Sequence, residues 1–306
     1  MDMKQALTLI LGGYLLLASM TGCAIEESED SEETTDKSNE LVFEPDAGIR
    51  VDGGIPKATL TNEGTTYLYY ENEGEMVALS ENGLDFTGNE RPTSYANDAR
   101  NVEMPDGTWR RYSWIRKADD TFSDLESEIS YDGINFVKES GIRYTLQESD
   151  NEWAGFYDMF TNCNDEVILI YLADNYGLNN ARMAISRDGG LNFDFEKEDV
   201  FNDAQYGGTF NSYVDQSSIP LEDDTRLMFT MKQGTIYWFS SDCVGKEWEL
   251  EEGSLKPSEY TEFNLATLHD PSIVINDDGS YRMYMGAWIE ENGQSKEVIL
   301  SAVTEL

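Results

Sequence analysis

The chain has 306 residues, 40 % of them hydrophobic and 12 % aromatic, which is enough apolar material for one large or two ordinary packed domains. Its 60 acidic residues outnumber 21 basic ones and give a net charge of −39. This charge excludes binding to nucleic acid or anionic lipid through a basic surface. One histidine and three cysteines leave too few ligands for a structural zinc site.

Residues 1–22 are predicted to be a signal peptide. Lys4 supplies a weakly positive start, and the apolar run Ala6–Ala18 is shorter than the roughly 20 residues that a membrane span requires. The run closes on MTGC, Met20–Cys23, which resembles a lipoprotein cleavage site and implies acylation of Cys23. Plain secretion with a chance cysteine is the alternative. We therefore expect an extracytoplasmic protein whose only contact with the cell membrane is a lipid anchor.

Residues 23–40 are predicted to be a disordered acidic linker. The stretch Ala24–Glu40 contains eight acidic residues, one lysine and one large apolar side chain, so it cannot bury enough surface to offset its chain entropy. Residues 41–306 keep 51 acidic and 19 basic side chains, a net charge of −32. Self-repulsion of that charge opposes compaction, which makes a saline habitat a hypothesis beside that of a merely acidic secreted protein.

Two cysteines, Cys163 and Cys243, lie in residues 41–306. A disulfide is permitted in an extracytoplasmic compartment. Two cysteines alone do not establish one, so the sequence leaves this pairing open.

A motif of two strands joined by a tight turn recurs five times along residues 41–306. GSYRMYM at Gly279–Met285 aligns with GTWRRYS at Gly107–Ser113, and the residues before them align without a gap. The alternation of apolar and aromatic residues, with Asp, Asn or Gly at the turn, is typical of a β-hairpin. The units start at Ile55, Asp98, Asp158, Asp215 and Asp270, at spacings of 43, 60, 57 and 55 residues.

A second motif follows each of the first four units, in which a strand ends at Ser, polar residues or Gly make a turn, and an aromatic residue follows. Its four copies are Ser80–Phe86, Ser130–Phe136, Ser186–Phe193 and Ser240–Trp248. The motif resembles the Asp-box turn of sialidase-type propellers, in which Asp and Ser side chains brace the hairpin backbone. That role is structural, so we assign no chemistry to these aspartates.

Four strands per unit, in a meander, define the blade of a β-propeller. The fifth unit supplies only a third strand, Glu297–Val303, before the chain stops. The segment Asn39–Gly48 is similar to the strands that follow the turns in other units, so we expect it to complete the last blade and remove an exposed sheet edge. The predicted fold is all-β: a single five-bladed β-propeller over residues 41–306, closed by the N-terminal strand.

Four of the five units start with an aspartate, and these starts open on one face near the propeller axis. Carboxylates that converge there repel each other, which raises the pKa of some and leaves others ionised. A glycosidase needs such an acid and base on either side of one bond. The alternative is that each aspartate caps a strand or binds backbone N–H groups.

The segment His269–Trp288, HDPSIVINDDGSYRMYMGAW, resembles a blade signature of the five-bladed glycoside hydrolases, the arabinanase/levansucrase/invertase superfamily and notably family 43. The resemblance covers roughly Leu41 to Leu306. It implies catalytic roles at inner-strand starts, and the positions that match are Asp98, Asp158, Asp215 and Asp270.

Two departures from that family pattern bear on catalysis. Ile55 stands where the general base often lies, and no unit starts with Glu, the usual acid. Glu103 and Glu152 are poor substitutes because they lie away from the starts. Either an Asp or His269 serves as the acid, or hydrolysis has been lost.

His269 is the only histidine and lies beside a unit start. The resemblance implies that it faces a hydrated metal ion on the axis, whereas a lone histidine is as often a packed, hydrogen-bonded residue. No cofactor is required by this interpretation, although Ca²⁺, which takes oxygen ligands and waters, is a hypothesis for the axis.

Candidate substrate-binding residues lie near the same face. Sugar rings pack their C–H faces on aromatic planes, although half of the aromatic residues there are expected to pack between blades. Arg100 shares the orientation of Asp98 and suits a substrate carboxylate such as a uronate. The predicted substrate-binding residues are Asp52, Arg100, Trp153, Tyr157, Tyr206, Phe210 and Tyr213.

These observations predict an extracytoplasmic monomer that binds and hydrolyses an oligo- or polysaccharide. A non-catalytic carbohydrate-binding propeller, in which the same acidic mouth grips a sugar or a cation, is the first alternative. A sialidase-like exo-enzyme is the second, based on the Asp-box-like turns. Five units are one blade fewer than that class has, and the sequence does not support its arginine cluster.

Overall fold

Five antiparallel sheets make up the computed structural model of the chain. It describes residues 41–61, 64–90, 100–117, 122–131, 133, 135–173, 180–201, 213–221, 225–291 and 293–304. The predicted signal peptide, the acidic linker and Cys23 lie outside the described residues. Within the described ranges, no helix has the length and apolarity needed to cross a membrane.

Blades one to three follow the predicted meander. Blade one contains β3 (Gly54–Leu60), β4 (Thr66–Glu71), β5 (Glu75–Ser80) and β6 (Thr87–Glu90). Blade two contains β7 (Arg100–Glu103), β8 (Trp109–Arg116), β9 (Phe122–Ser130), β10 (Val137–Lys138) and β11 (Tyr144–Thr145), the last two both paired with β9. After a 3₁₀ turn at Glu148–Asp150, blade three contains β12 (Ala154–Thr161), β13 (Val167–Ala173), β14 (Asn180–Ser186) and β15 (Asp194–Lys197).

Blades four and five complete the propeller. Blade four contains β16 (Val214–Pro220), β17 (Arg226–Lys232), β18 (Thr235–Ser241) and β19 (Glu249–Leu250), and is followed by a 3₁₀ turn at Pro257–Glu259. Blade five contains β20 (Leu265–Ile275), β21 (Tyr281–Glu291) and β22 (Gln294–Thr304), with β1 (Phe43–Pro45) and β2 (Val51–Asp52) paired to β22. The N-terminal strand thus supplies the outer strand of the last blade, and the prediction of an all-β, five-bladed propeller closed in this way is confirmed.

The blades stack face against face, so their second strands are covered on both sides. β13, with the sequence VILIYLA, is buried at every residue, as expected of a strand with a sheet packed on each face. Among the described residues, apolar side chains form four clusters, which fill the spaces between blades two and three, three and four, four and five, and five and one. Between blades one and two the inner strands bring together two cations, Lys57 and Arg100.

Antiparallel strands place the turns after the first and third strands of each blade on the face opposite the inner-strand starts. On that opposite face Cys163 and Cys243 form a disulfide with a Cα–Cα distance of 5.5 Å, which ties blade three to blade four. There too, the Asp188 carboxylate accepts hydrogen bonds from the backbone N–H groups of Leu191 and Asn192 at 3.1 and 2.9 Å. The turn aspartates therefore lie far from any chemistry at the other face.

The repeated residue does not begin the inner strand in blades three and five. β12 begins four residues before Asp158 and β20 five before Asp270. Instead, the strand register shifts at or just before the repeated residue, between Gly155 and Asp158 and between His269 and Ser272. The repeat thus marks a β-bulge, an irregularity that changes the direction of side chains and is common next to active sites.

Candidate active site

The bulge repeats with one backbone geometry in three blades. Ile55, Asp215 and Asp270 have φ values of 50°, 60° and 47°, in the left-handed region. Aspartate tolerates this region better than most residues, whereas a β-branched residue such as isoleucine is a genuine outlier there. We call the inner-strand side chains around these bulges, namely Lys57, Arg100, Asp158, Asp215, His269 and Asp270, the hub.

Asp215 is a buried acid of the hub with a strongly raised pKa. It is 6 % exposed, and its Oδ2 accepts a hydrogen bond from the backbone N–H of Asp270 at 3.2 Å. Within the part of the chain that the structure describes, its buried Oδ1 has no hydrogen-bond partner. Burial, and then the negative charge of Asp270, raise the pKa of Asp215 to about 8. Its carboxyl group is therefore protonated at neutral pH.

His269 joins two carboxylates of blade five. Its Nδ1 lies 2.8 Å from Asp270 Oδ2 and its Nε2 lies 3.5 Å from Glu297 Oε1. Burial alone would lower the pKa of His269, but the hydrogen bond to Asp270 and the charges of Asp270, Glu297 and Asp215 together raise it. Burial also raises the pKa of Glu297, against the effect of the His269 cation. His269 therefore lies between two carboxylates whose charges favour its protonated form.

Two glycines make room for this arrangement. A Cβ atom at Gly286 would overlap the His269 ring, and one at Gly54 would overlap the Glu297 carboxylate. Gly286 lies opposite His269 on the neighbouring strand β21, so the ring crosses the backbone there to reach Glu297. The position of His269 therefore depends on the glycine beside it.

Asp158 has a bond that ties two blades together. It is 9 % exposed, and its Oδ2 accepts a hydrogen bond from the backbone N–H of Ser218 in blade four at 2.9 Å. Burial raises its pKa, while Ser218 and the cations Arg100 and Arg226 oppose the rise. Since Asp215 binds the backbone of blade five in the same way, both aspartates hold neighbouring inner strands in register, as the alternative interpretation of the sequence expected.

Lys57 brings a positive charge into this acidic region. It is half-buried, and burial followed by the charge of Arg100 lowers its pKa to about 8, against the attraction of Asp270, Asp215 and Asp158. Among the described residues, no group of three His, Cys, Asp or Glu side chains is placed to hold a metal ion. With a lysine ammonium already beside the aspartates, these residues do not fit a Ca²⁺ site, so no metal enters the chemistry below.

The structure distributes the predicted substrate-binding residues unevenly. Tyr206 and Phe210, like the predicted catalytic residue Asp98, lie outside the described residues. Asp52 is exposed and pairs with Lys296 at 2.6 Å. Arg100 lies 4.8 Å from the centre of the Tyr157 ring.

Of the three predicted aromatic subsite residues that the structure describes, two belong to the core. Tyr157 is 2 % exposed and its hydroxyl donates to the Tyr112 carbonyl at 3.0 Å, while Tyr213 is 3 % exposed. Trp153 is half-buried and packs against the cluster between blades three and four. Tyr157 and Tyr213 therefore offer no face to a sugar. The prediction rested on chain position alone, which does not tell which side of a strand faces solvent.

Sequence reasoning missed Glu297 and Trp288. Glu297 lies on β22 and Trp288 on β21, the third and second strands of blade five, where no repeat marks a functional position. They are cross-strand partners in the register of these two strands. The one available signal was that Glu297 opens the third strand EVILSAV, a glutamate near the histidine in a chain whose inner-strand starts have none.

Several solved structures share this fold. An endo-arabinase from Bacteroides thetaiotaomicron aligns with a TM-score of 0.57 and 11 % identity over 85 % of this chain and 98 % of that one. An endo-1,4-β-xylanase from the same organism aligns with a TM-score of 0.56 and 12 % identity over 82 % and 92 % of the two chains. The Bacteroides ovatus xyloglucan PUL protein GH43B aligns with a TM-score of 0.54 and 10 % identity over 84 % of this chain. The alignment covers only 54 % of the length of that protein.

No protein-family profile matches the chain, and neither does any curated protein. At such low identity the solved structures show a shared fold. The resemblance to the five-bladed glycoside hydrolases is thereby confirmed for the fold, and the reaction must be argued from the hub.

Proposed function

We propose that the hub hydrolyses an O-glycosidic bond of an oligo- or polysaccharide, with Asp215 as the general acid and Asp270 as the base. The observation that carries this proposal is the state of Asp215: a buried carboxyl group with a pKa raised to about 8 and one oxygen that has no hydrogen-bond partner among the described residues. A carboxyl group kept neutral at pH 7 beside a second, charge-paired carboxylate is the division of roles that glycosidases use.

In the proposed step, Asp215 gives its proton to the glycosidic oxygen as the bond to the anomeric carbon breaks. A water molecule attacks that carbon and gives a proton to Asp270, whose carboxylate is hydrogen-bonded to His269. The proton gained by Asp270 equals the one lost by Asp215, so exchange with solvent restores both groups. Because water is the nucleophile, the sugar released has inverted anomeric configuration, which NMR of the fresh product detects.

The fold supports a glycan as the substrate. The solved structures described above are named endo-arabinase, endo-1,4-β-xylanase and a xyloglucan-locus protein. Arabinan, xylan and xyloglucan are therefore the first polysaccharides to test. The charge of −32 on residues 41–306 makes it necessary to assay at low and high salt.

The test is a screen of purified protein on these polysaccharides and on aryl α-L-arabinofuranosides and β-D-xylosides. Wild type should release reducing sugar from at least one, and Asp215→Asn should lower kcat by about 100-fold or more, the usual contribution of a positioned acid. Asp278→Asn is the matched control, since Asp278 lies in an exposed turn that follows β20 and binds Ser280. Equal activity of Asp215→Asn and Asp278→Asn contradicts the assignment.

A glycan-binding propeller without turnover is the second candidate, and Ile55 favours it. The residue keeps the left-handed backbone of Asp215 and Asp270 but has no carboxylate. In that case wild type binds one of the polysaccharides in affinity electrophoresis yet releases no sugar. Mutation of Asp215 then changes the affinity alone.

We also propose that the protein is lipid-anchored outside the cytoplasm through Cys23. The disulfide between Cys163 and Cys243 supports an oxidising compartment. Membrane fractionation and mass spectrometry of the mature N-terminus test this: a diacylated cysteine is expected in wild type, and Cys23→Ser should release the protein into the soluble fraction. An unmodified N-terminus in wild type contradicts the proposal.

A further inference from the structure

We infer that a second sugar-binding subsite lies at the junction of blades five and one, with Trp288 as its stacking platform and Glu297 as its hydroxyl acceptor. This inference rests on the proposed function, because it places a further sugar of the same glycan beside the hub. Neither residue takes part in the proposed proton transfers.

The strand register puts both side chains on the face of blade five that looks towards blade one. The Tyr284 hydroxyl marks this face, since it donates to the Gly83 carbonyl of blade one at 2.9 Å. Trp288 lies four residues further along β21 and therefore on the same side. Its direct partner on β22 is Glu297, and directly opposed side chains share a face.

Trp288 is exposed where an aromatic residue is normally covered. Of the chain's six tryptophans, all described by the structure, it alone is exposed, with 40 % of its surface accessible. It lies near the end of an 11-residue strand, in the blade with the three longest strands of the structure. The indole thus lies on the surface formed by the end of β21 and the start of β22, beside the inner-strand starts, and no neighbouring blade covers all of it.

Glu297 lies between Trp288 and the hub. Its side chain is 30 % exposed and its Oε1 lies 3.5 Å from His269 Nε2. On the other side it lies against Gly54, where no side chain intervenes. A carboxylate with a solvent-facing edge beside an exposed indole is a usual combination for a sugar: the ring packs by its C–H face and a hydroxyl donates to the acid.

The chemical class that fits is a neutral glycan of two or more sugar units. One unit occupies the hub at Asp215 and Asp270, and the next lies over Trp288. We expect a single sugar held in the hub to make no contact with the indole. Loss of the indole should therefore affect long substrates and spare short ones.

Two pairs of probes compare a long with a short substrate: xylotriose with methyl β-D-xyloside, and arabinotriose with methyl α-L-arabinofuranoside. Both binding by calorimetry and kcat/KM for sugar release are measured for each. Trp288→Ala should weaken the affinity and lower kcat/KM for one trisaccharide by about 10-fold, chiefly through KM, as for a central tryptophan contact. The matching methyl glycoside should change by less than about 2-fold.

Three variants control for folding and for aromatic loss in general. Trp288→Phe keeps a ring and should retain most of the trisaccharide affinity. Tyr131→Ala removes a ring that is 81 % exposed in a turn of blade two on the opposite face, and should change nothing. Glu297→Gln should weaken trisaccharide binding less than Trp288→Ala does, because the amide still accepts a hydroxyl hydrogen bond.

The outcomes are distinct. Equal effects of Trp288→Ala on the trisaccharide and the methyl glycoside, or no effect on either, overturn the subsite and leave the hub chemistry standing if Asp215→Asn still abolishes release. If wild type neither binds nor cleaves any of the four probes, the subsite and the proposed function fail for these glycans together.

Discussion

The inner strands of blades four and five have the same bulged backbone as that of blade one, but they differ from it in the side chain at the bulge. Asp215, Asp270 and Ile55 all have φ between 47° and 60° at a bulge of the inner strand. Two of these bulges present a carboxylate, and the third presents an aliphatic side chain followed by the cation Lys57. The bulge is therefore a device of the fold that persists without the acid, and the chemistry lies in the side chains alone.

This difference also has an energetic side. A left-handed residue with a β-branched side chain costs about 1–2 kcal/mol, and blade one bears that cost at the half-buried Ile55. Blades four and five bear a different cost, the burial of an acid beside another acid. Strain of the first kind belongs to the fold, whereas strain of the second kind would serve the proposed proton transfer.

The largest expected effect is on kcat, and it distinguishes Asp270 in blade five from Ile55 at the equivalent position of blade one. Asp270→Asn removes the proposed base and should lower kcat by about 100-fold or more, whereas Ile55→Ala should leave kcat within about 3-fold. Steady-state kinetics on the substrate found in the screen measure both. A loss at Ile55 as large as that at Asp270 breaks the comparison.

The next effect is on stability, and it depends on pH. Because the folded pKa of Asp215 is about 8 and its unfolded value is near 3.8, the folded chain binds a proton that the unfolded chain releases between these values. The free energy of unfolding therefore falls as pH rises through that window. Asp215→Asn removes this slope, so its Tm relative to wild type should rise between pH 4 and pH 8 by about 2–4 °C or more, the shift that 1 kcal/mol gives a domain of this size. A Tm difference that is constant with pH contradicts the burial of this acid.

A smaller effect sharpens the comparison in blade one. Ile55→Asn loses the contacts of a half-buried side chain, about 1–2 kcal/mol, but relieves left-handed strain of similar size. Its Tm should stay within about 2 °C of wild type. Ile219→Asn, at a 5 % exposed position of β16 with ordinary backbone, should lose several degrees more in the same thermal melts.

The smallest expected effect concerns Lys57. Its positive charge lowers the pKa of Asp215, so Lys57→Met should move the alkaline limit of activity upward by a few tenths of a pH unit. The groups that face Asp215 and also act on it are Asp270 and His269, which this substitution leaves in place. Loss of the alkaline limit in Lys57→Met would mean that Lys57 itself is the titrating group, and a downward movement would contradict the electrostatic effect of Lys57 on Asp215.

Repetition explains how much of this could be predicted. The blades and three of the hub acids, Asp158, Asp215 and Asp270, were predicted because each blade repeats the same local pattern. Glu297 and Trp288 occur on strands of one blade only, and their closeness to the hub depends on the exact register of the β20–β21 and β21–β22 hairpins, which no repeated pattern records. The burial of Tyr157 and Tyr213 was missed for a related reason, since an aromatic residue near a blade connection suits a subsite and a core equally well.

The most direct measurement is the pH dependence of kcat/KM for the glycan that the proposed screen identifies as a substrate. With Asp215 as the acid, kcat/KM should fall about 10-fold for each pH unit above a midpoint near 8, as this carboxyl group loses its proton. A kcat/KM that stays constant from pH 6 to about pH 10 means that no group with the pKa of Asp215 donates the proton, and contradicts the assignment of the hub as an acid–base site.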